Sequence, residues 1–410
     1  MTSRRLLILG WKSVVEDALD RVGIPHVTVV EMAKYSRVRS RADENRVLVP
    51  CGNIANIESV LSALARSEIR NSEISAVWTA DEFSVVVGAA LTSVLELQPS
   101  LDVDTALRFR DKYLQKQAVA AAGLPVARTA LVACSEDLDS SSVSAVGLPA
   151  VIKPVAGAGT SLTHRVDTME ELEPLVANLL ASDAASGPFL LESFADGHEL
   201  HLDGCLSQGA LTVFSVSRYL TNNLEIQTGG INGSYMLDPE RFAAEYSLAQ
   251  GFALKCLKAL GMTEGVFHME VFRSTDGLSF SECAARAGGG GIIEVFQGKF
   301  GLHLLEEHAK VAAGLEPGSP KPSSDAFGCT LLRARPGKAL SVPTVAELLA
   351  QPGVVEAHVD QQVGDPTPDM TKDTVRRAGS AIVRARNEEE LVDRIQNLRG
   401  WFMDAVEVAS

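Results

Sequence analysis

The 410-residue sequence has no CxxC pair among its six cysteines, Cys51, Cys134, Cys205, Cys256, Cys283 and Cys329. Their scatter excludes a clustered zinc site and a disulfide frame, and reads as buried free thiols in a reducing cytoplasm. There is no run of 18 or more apolar residues, so no membrane span is expected. The opening MTSRRLLILGWKS lacks a signal-peptide apolar core of useful length and a cleavage site. Positive charge is short: 37 Lys and Arg stand against 52 Asp and Glu, a net charge of −15. That balance disfavours nucleic-acid and anionic-membrane partners. Aromatics make up only 5%, whereas hydrophobic residues make up 46%, as in a soluble α/β protein with ample core and two or three domains.

What is present is organised around residues 266–291, VFHMEVFRSTDGLSFSECAARAGGGG. Two strand-like runs flank an Asp-Gly turn signal. A three-residue loop, 275–277, would place Glu270 opposite Glu282 and His268 opposite Ala284. Side chains alternate along a strand, so Arg286 shares their face and Cys283 turns to the other, where it reads as core. Two facing carboxylates repel. Two readings fit: charges on the wet face of an exposed hairpin, or ligands for an oxygen-loving cation such as Mg2+ that itself holds polyphosphate. Arg286 would grip a phosphoryl or carboxylate group. Gly288, Gly289, Gly290 and Gly291 would let a ligand approach bare backbone.

Residues 1–100 alternate strands (6–9, 26–30, 47–49, 74–78) with helices (14–22, 54–65, 83–97), a rhythm that predicts a parallel sheet covered by helices. The first turn, GWKS, lacks the GxGxxG fingerprint, so this part reads as one wall of a cleft. A single helix is predicted over 105–122; it carries Lys112, which taken alone is a solvated lysine. Lys153 closes the apolar strand 150–154, where a lysine needs a partner. The small, hydroxyl-bearing loop AGAGTSLT, 156–163, follows at once. Its backbone N–H groups suit phosphates, although the Walker ending GK[ST] is absent. Strand 189–192 ends on Glu192, with Phe194 and Gly197-His198-Glu199 beyond it. The plain reading of Glu192 and Glu199 is hairpin-edge charge.

Residues 219–237 are polar and glycine-rich, which suits a substrate-side loop or a plain connector. A helix starts at Pro239 and stops at Gly261, and 291–313 is mostly helical. After the linker 316–324 come strands 327–333, 354–359 and 381–386, with helices 344–349 and 388–405.

The ordered set Asp111-Lys112, Lys153, the glycine flap, Glu192…Gly197-x-Glu199 and Glu270…Glu282-x-x-x-Arg286 resembles the ATP-grasp superfamily of ADP-forming carboxylate–amine ligases, over approximately residues 1–400. The resemblance implies an α/β and α+β chain with an ATP-grasp fold. A Rossmann-like parallel-sheet domain would span 1–104. The ATP-clamping region would span 105–325, divided into 105–195 and 196–325. A C-terminal α+β segment, 326–410, would complete the substrate wall.

It also implies roles. Lys112 and Lys153 would hold the α- and β-phosphates of ATP, and Gly157, Gly159 and Thr160 would close over them. Glu192 and the backbone near Phe194 would read adenine, and Glu199 the ribose. Glu270 and Glu282 would ligate Mg2+, or Mn2+. Arg286 would stabilise the transferring phosphoryl group, with Lys153 as its catalytic companion. His268, Arg286, Gly288 and Gly289 would meet substrate; for His268 a core or wet-face place fits as well. Where the family usually reads Glu-x-Asn-x-Arg, this strand has Ala284, which cannot ligate metal. Glu-x-Ala-x-Arg resembles the L-amino acid (dipeptide-forming) ligase branch.

The activity implied is amide formation between an amino acid carboxylate and an amine through an acyl-phosphate, with small-molecule amino acid substrates and, at family level, a homodimer. The alternatives are a ligase of another small carboxylate, of the purine-pathway or biotin-carboxylase type, and a catalytically silent ATP-binding protein.

Overall fold

The computed structural model describes residues 4–98, 101–157, 159–182, 187–370 and 376–409. Four parallel strands open the chain, in the spatial order Arg46–Cys51, His26–Glu31, Arg5–Leu9, Ile74–Thr79. Their near-continuous apolar runs are buried on both faces by helices that include Ser13–Val22, Ile57–Arg66 and Val85–Val94, as a parallel sheet requires. The helix Ser13–Val22 stops at Gly23, whose φ of +67° is the left-handed cap expected there.

The helix predicted over 105–122 is two helices, Val103–Arg110 and Lys112–Ala121. Asp111 between them is extended, and its carboxylate caps the second by accepting from the N–H groups of Tyr113 and Leu114. Lys112 therefore starts a helix and is buried, not solvated.

A small antiparallel sheet follows, ordered Thr129–Val132, Phe189–Ser193, Ala150–Pro154, His164–Val166. The helices Ser141–Val146 and Met169–Leu180 share its apolar core.

The largest layer is an eight-stranded antiparallel sheet: Gly277–Ala284, Gly265–Ser274, His198–Ser207, Ala210–Tyr219, Gly233–Met236, Ala326–Leu332, Gly379–Ala385, Val354–Val359. It draws strands from both sides of the linker 316–324. Gly233–Met236 lies inside the stretch read as irregular; its apolar signal is only a few residues long. The segment 291–313 is two helices, Ile292–Phe300 and Leu304–Ala312, broken at Gly301 with φ +69°. Ala243–Leu260 and Glu388–Ala405 contribute to the sheet's other cores.

All six cysteines are free; five are buried, but Cys134 is exposed at the start of a short 3-10 turn, correcting the expectation for that residue. No helix among the described residues is long and apolar enough to cross a membrane.

Candidate active site

The hairpin Gly265–Ser274/Gly277–Ala284 pairs Glu270 with Glu282 and His268 with Ala284. The route to that register differs from expectation. Ser274 faces Gly277 across a two-residue turn, not a three-residue loop. The register then shifts by one between Glu270 and Val271, because Val271 pairs with Phe280 and Ser281 is the extra residue of a bulge. The alternation also holds: Met269, Val271 and Cys283 join the core beneath, while Glu270 and Glu282 face the cleft.

Gln115 docks the helix Lys112–Ala121 against this hairpin. Its amide donates to the Cys283 carbonyl at 2.9 Å and accepts from the Cys283 N–H at 2.8 Å. One turn away, Lys112 Nζ lies 3.3 Å from Glu282 and donates to the Gly157 carbonyl at 3.0 Å. Lys153 Nζ lies 2.8 Å from Glu192 and 3.9 Å from Glu282. Burial would raise the Glu282 carboxyl, but Lys112 and Lys153 overcome it and bring it down to about 2. Lys116, absent from the sequence expectations, is 2% exposed and sits 2.8 Å from the second oxygen of Glu192. Burial alone would raise Glu192; Lys116 and Lys153 hold it below its ordinary value.

Glu270 is served differently. Tyr219 Oη donates to it at 2.8 Å and Asn223 Nδ2 at 3.2 Å. Asn223 also donates to Glu199, through its backbone N–H at 2.6 Å and its amide at 3.0 Å. Burial and the neighbouring Glu270 push the Glu199 carboxyl up to about 8. Glu270 and Glu282 are facing carboxylates, the oxygen ligands a hard divalent cation takes, so their chemistry fits Mg2+ or Mn2+, although among the described residues the group of three close ligand atoms is His201, Asp203 and His268. Ala284 offers no ligand atom.

Behind this acidic patch, Asp203 is fully buried and accepts from His201 Nδ1 at 2.6 Å and His268 Nδ1 at 2.8 Å. Ser234 Oγ lies 2.8 Å from the other His201 nitrogen. Burial acts to lower His268, but Asp203 and Glu270 raise it to about 10. These groups satisfy one another, which accounts for their grouping without a metal.

The first parallel sheet closes the cleft. Arg286 Nε donates to Glu82 at 2.8 Å, and Arg110 lies 4.0 Å from Glu82 while stacking 4.8 Å over the Phe83 ring. Glu82 was not singled out in the sequence. It follows the carboxyl end of the strand Ile74–Thr79, where parallel sheets commonly bind ligands, and that was the available signal.

Two adjoining cavities result. One, of about 430 Å³, is lined by Lys116, Lys153, Glu192, Phe194 and Glu199. The other, of about 550 Å³, is lined by Lys112, Gly157, Gly159, Thr160, Glu282 and Arg286, together with His268 and Gly289. Glu270 and Asn223 border both. Gly288 lines neither; a Cβ there would lie 2.8 Å from His268 Nδ1. Ala158 of the glycine flap lies outside the described residues.

Residues 146–294 match the ATP-grasp domain family. Over 318 residues the chain is 26% identical to an L-arginine-specific L-amino acid ligase of Bacillus subtilis, covering 75% of this chain and 74% of that one. It is 23% identical over 404 residues to a formate-dependent phosphoribosylglycinamide formyltransferase of Burkholderia lata, covering 93% and 95%. Among solved structures, an L-amino acid ligase from Bacillus licheniformis superposes with a TM-score of 0.79 at 17% identity, covering 100% of both chains. An Aspergillus clavatus carboxyaminoimidazole ribonucleotide synthase complexed with ATP gives 0.75 at 17% identity, covering 99% and 100%.

Proposed function

We propose, from the premise that this chain belongs to the ATP-grasp superfamily of ADP-forming carbon–nitrogen ligases, that it joins an amino acid carboxylate to an amine, a second amino acid. The reaction consumes ATP and releases ADP and phosphate. The single observation that carries this reading is the Glu270–Glu282 pair, flanked by Lys112 and Arg286 in one cavity and by Lys153 in the adjoining one.

A carboxylate acylates poorly because oxide is a poor leaving group. Transfer of the γ-phosphoryl of ATP to the acid makes an acyl-phosphate, whose leaving group is phosphate. Lys112 and Lys153 hold the nucleotide phosphates, and Glu282 keeps both ammonium groups aimed into the cleft. Glu192, Phe194 and Glu199 line the adenine and ribose end. Glu270 and Glu282 would hold Mg2+ or Mn2+, which neutralises phosphate charge when bound. Arg286, steadied by Glu82, stabilises the transferring group. Gly157, Gly159 and Thr160 shield the acyl-phosphate from water. The amine attacks the acyl carbon, phosphate leaves, and the amine proton passes to phosphate or solvent.

The amino-acid reading is supported by Glu282-x-Ala284-x-Arg286 and by the likeness to the arginine-specific ligase. The second reading, a ligase of another small carboxylate, is favoured by the transformylase match over 93% of the chain. A screen of ADP release over amino acid pairs, with mass spectrometry of the products, separates them. An amide of two amino acids is expected; release of ADP only with formate or bicarbonate would move the assignment to the second reading. Nucleotide binding without turnover for any pair would leave a silent binder.

A further inference from the structure

Beside the cleft lies a third cavity of about 400 Å³, bordered by Gly288 to Gly291, Glu294, Glu356, Asp360 and Arg377. Gly289, Gly290 and Arg377 also border the 550 Å³ cavity that holds Glu282 and Arg286. A Cβ added at Gly289 or Gly290 would meet no heavy atom within 4 Å, so this shared rim is open backbone.

Arg377 sits just before the strand Gly379–Ala385, and Asp360 just after its neighbour Val354–Val359. The last rung of that ladder, Val359 to Gly379, brings them together, and Arg377 Nε donates to Asp360 at 2.8 Å. Among the described residues, the bond to Asp360 uses Nε. A guanidinium has five donors in a planar fork, so its Nη pair can grip a carboxylate bidentately. Of the other cations bordering the 550 Å³ cavity, Lys112 and Arg286 are paired with Glu282 and Glu82 on the phosphate side, and His268 with the buried Asp203. Arg377 comes from the opposite wall.

We propose that Arg377 anchors the carboxylate of the amine-donating amino acid at the gate between these two cavities, with that substrate's side chain extending past Gly289 and Gly290 into the third. This deepens the ligase reading and rests on it. The charge balance favours a carboxylate over a phosphate monoester: Glu294, Glu356 and Asp360 surround the gate. Burial and then Glu356 raise the Glu294 carboxyl, while His358 and Arg377 act to lower it. A zwitterion with a single negative group meets Arg377 at less repulsion than a dianion. Arg377 contacts substrate away from the reacting atoms, so its loss should raise KM and leave kcat nearly alone.

The test compares three nucleophiles with one acid substrate: an amino acid, its carboxamide, and a ribosyl-phosphate amine. With the unmodified enzyme, the carboxamide should show a KM about tenfold higher than the amino acid, the loss of one charge-assisted contact. Arg377→Gln should raise the amino acid KM to that of the carboxamide and leave the carboxamide KM unchanged, and Arg377→Lys should recover part of the loss. Equal KM values for amino acid and carboxamide with the unmodified enzyme would overturn the assignment, whatever the variants do. A preference for the ribosyl-phosphate amine, lost in Arg377→Gln, would make the anion a phosphate and also overturn it. Amide formation from no pair at all would sink the ligase reading itself, a different failure from amide formation indifferent to the carboxylate.

Discussion

Lys153 and Glu192 meet at 2.8 Å, each side chain only 10% exposed, and the other oxygen of Glu192 is taken by Lys116. One carboxylate thus holds two buried ammonium groups. Removing one ammonium group leaves one buried oxygen of Glu192 without its partner while the other stays paired. Lys116→Met is expected to cost about 1–3 kcal/mol in denaturant unfolding, the loss of the partner of one buried carboxylate oxygen, and to raise the KM for ATP, because Glu192 would swing toward Lys153 alone. Lys116→Arg should recover most of the stability.

Glu199 gives a pH signature. Its carboxyl stands at about 8 in the folded chain against an ordinary 4.5, through burial and then Glu270. Between those values the unfolded chain has released a proton that the folded chain keeps. Stability therefore falls as pH rises from 4.5 toward 8, and the loss is complete above 8. His268, raised to about 10 from 6.5, stabilises fully below 6.5 and loses that contribution as pH climbs through 10. Both slopes have the same sign, so the difference between the unmodified protein and Glu199→Gln isolates the first. Thermal melting without added metal should show a smaller fall across that window for Glu199→Gln. An unchanged slope would remove Glu199 from this role.

Glu82 steadies Arg286 through a 2.8 Å bond from the other side of the cleft. Glu82→Ala should leave the Arg286 guanidinium free to wander. A misplaced transition-state cation costs about 10²-fold in kcat, with little change in ATP binding. Single-turnover ADP formation alongside nucleotide titration would report the two separately.

Gly288 is tightly enclosed. A Cβ there would lie 2.7 Å from Ile292 Cδ1 and 2.8 Å from His268 Nδ1. Gly288→Ala should push His268 away from Asp203 and cost about 1–3 kcal/mol as overpacking. The His268 ring resonances in NMR should shift with it. Unshifted resonances would mean that the helix gives way instead.

The Glu270–Glu282 pairing was legible because alternation and a turn signal constrain a hairpin strongly. The turn length was not, since a bulge at Ser281 compensates for a shorter turn and leaves the same residues opposed. Lys153 could be selected by its place in an apolar strand just before a glycine loop, whereas Lys112 and Glu192, a solvated helix lysine and a hairpin-edge charge when taken alone, gained a role only as members of the ordered set that resembles the family. Lys116 could not be selected, because nothing local marks a helical lysine whose partner arrives on a distant strand. Asp203 looked like one more strand residue until pairing set it opposite His268. Asn223 and Tyr219 lay in or beside a stretch without periodicity, so their shared hold on Glu270 emerged only with the fold. The helix break at Asp111 was also missed. An Asp followed by good helix formers reads as continuous helix unless its capping bonds are seen.

The central claim is that Glu282 and Glu270 together present metal-bound nucleotide to the acid. Steady-state ADP release with Mg2+, ATP and both substrates, compared between the unmodified protein and Glu282→Gln, tests it most directly. The account predicts a fall of at least about 10²-fold in kcat with the fold retained by circular dichroism. Turnover within about threefold of the unmodified protein would contradict it.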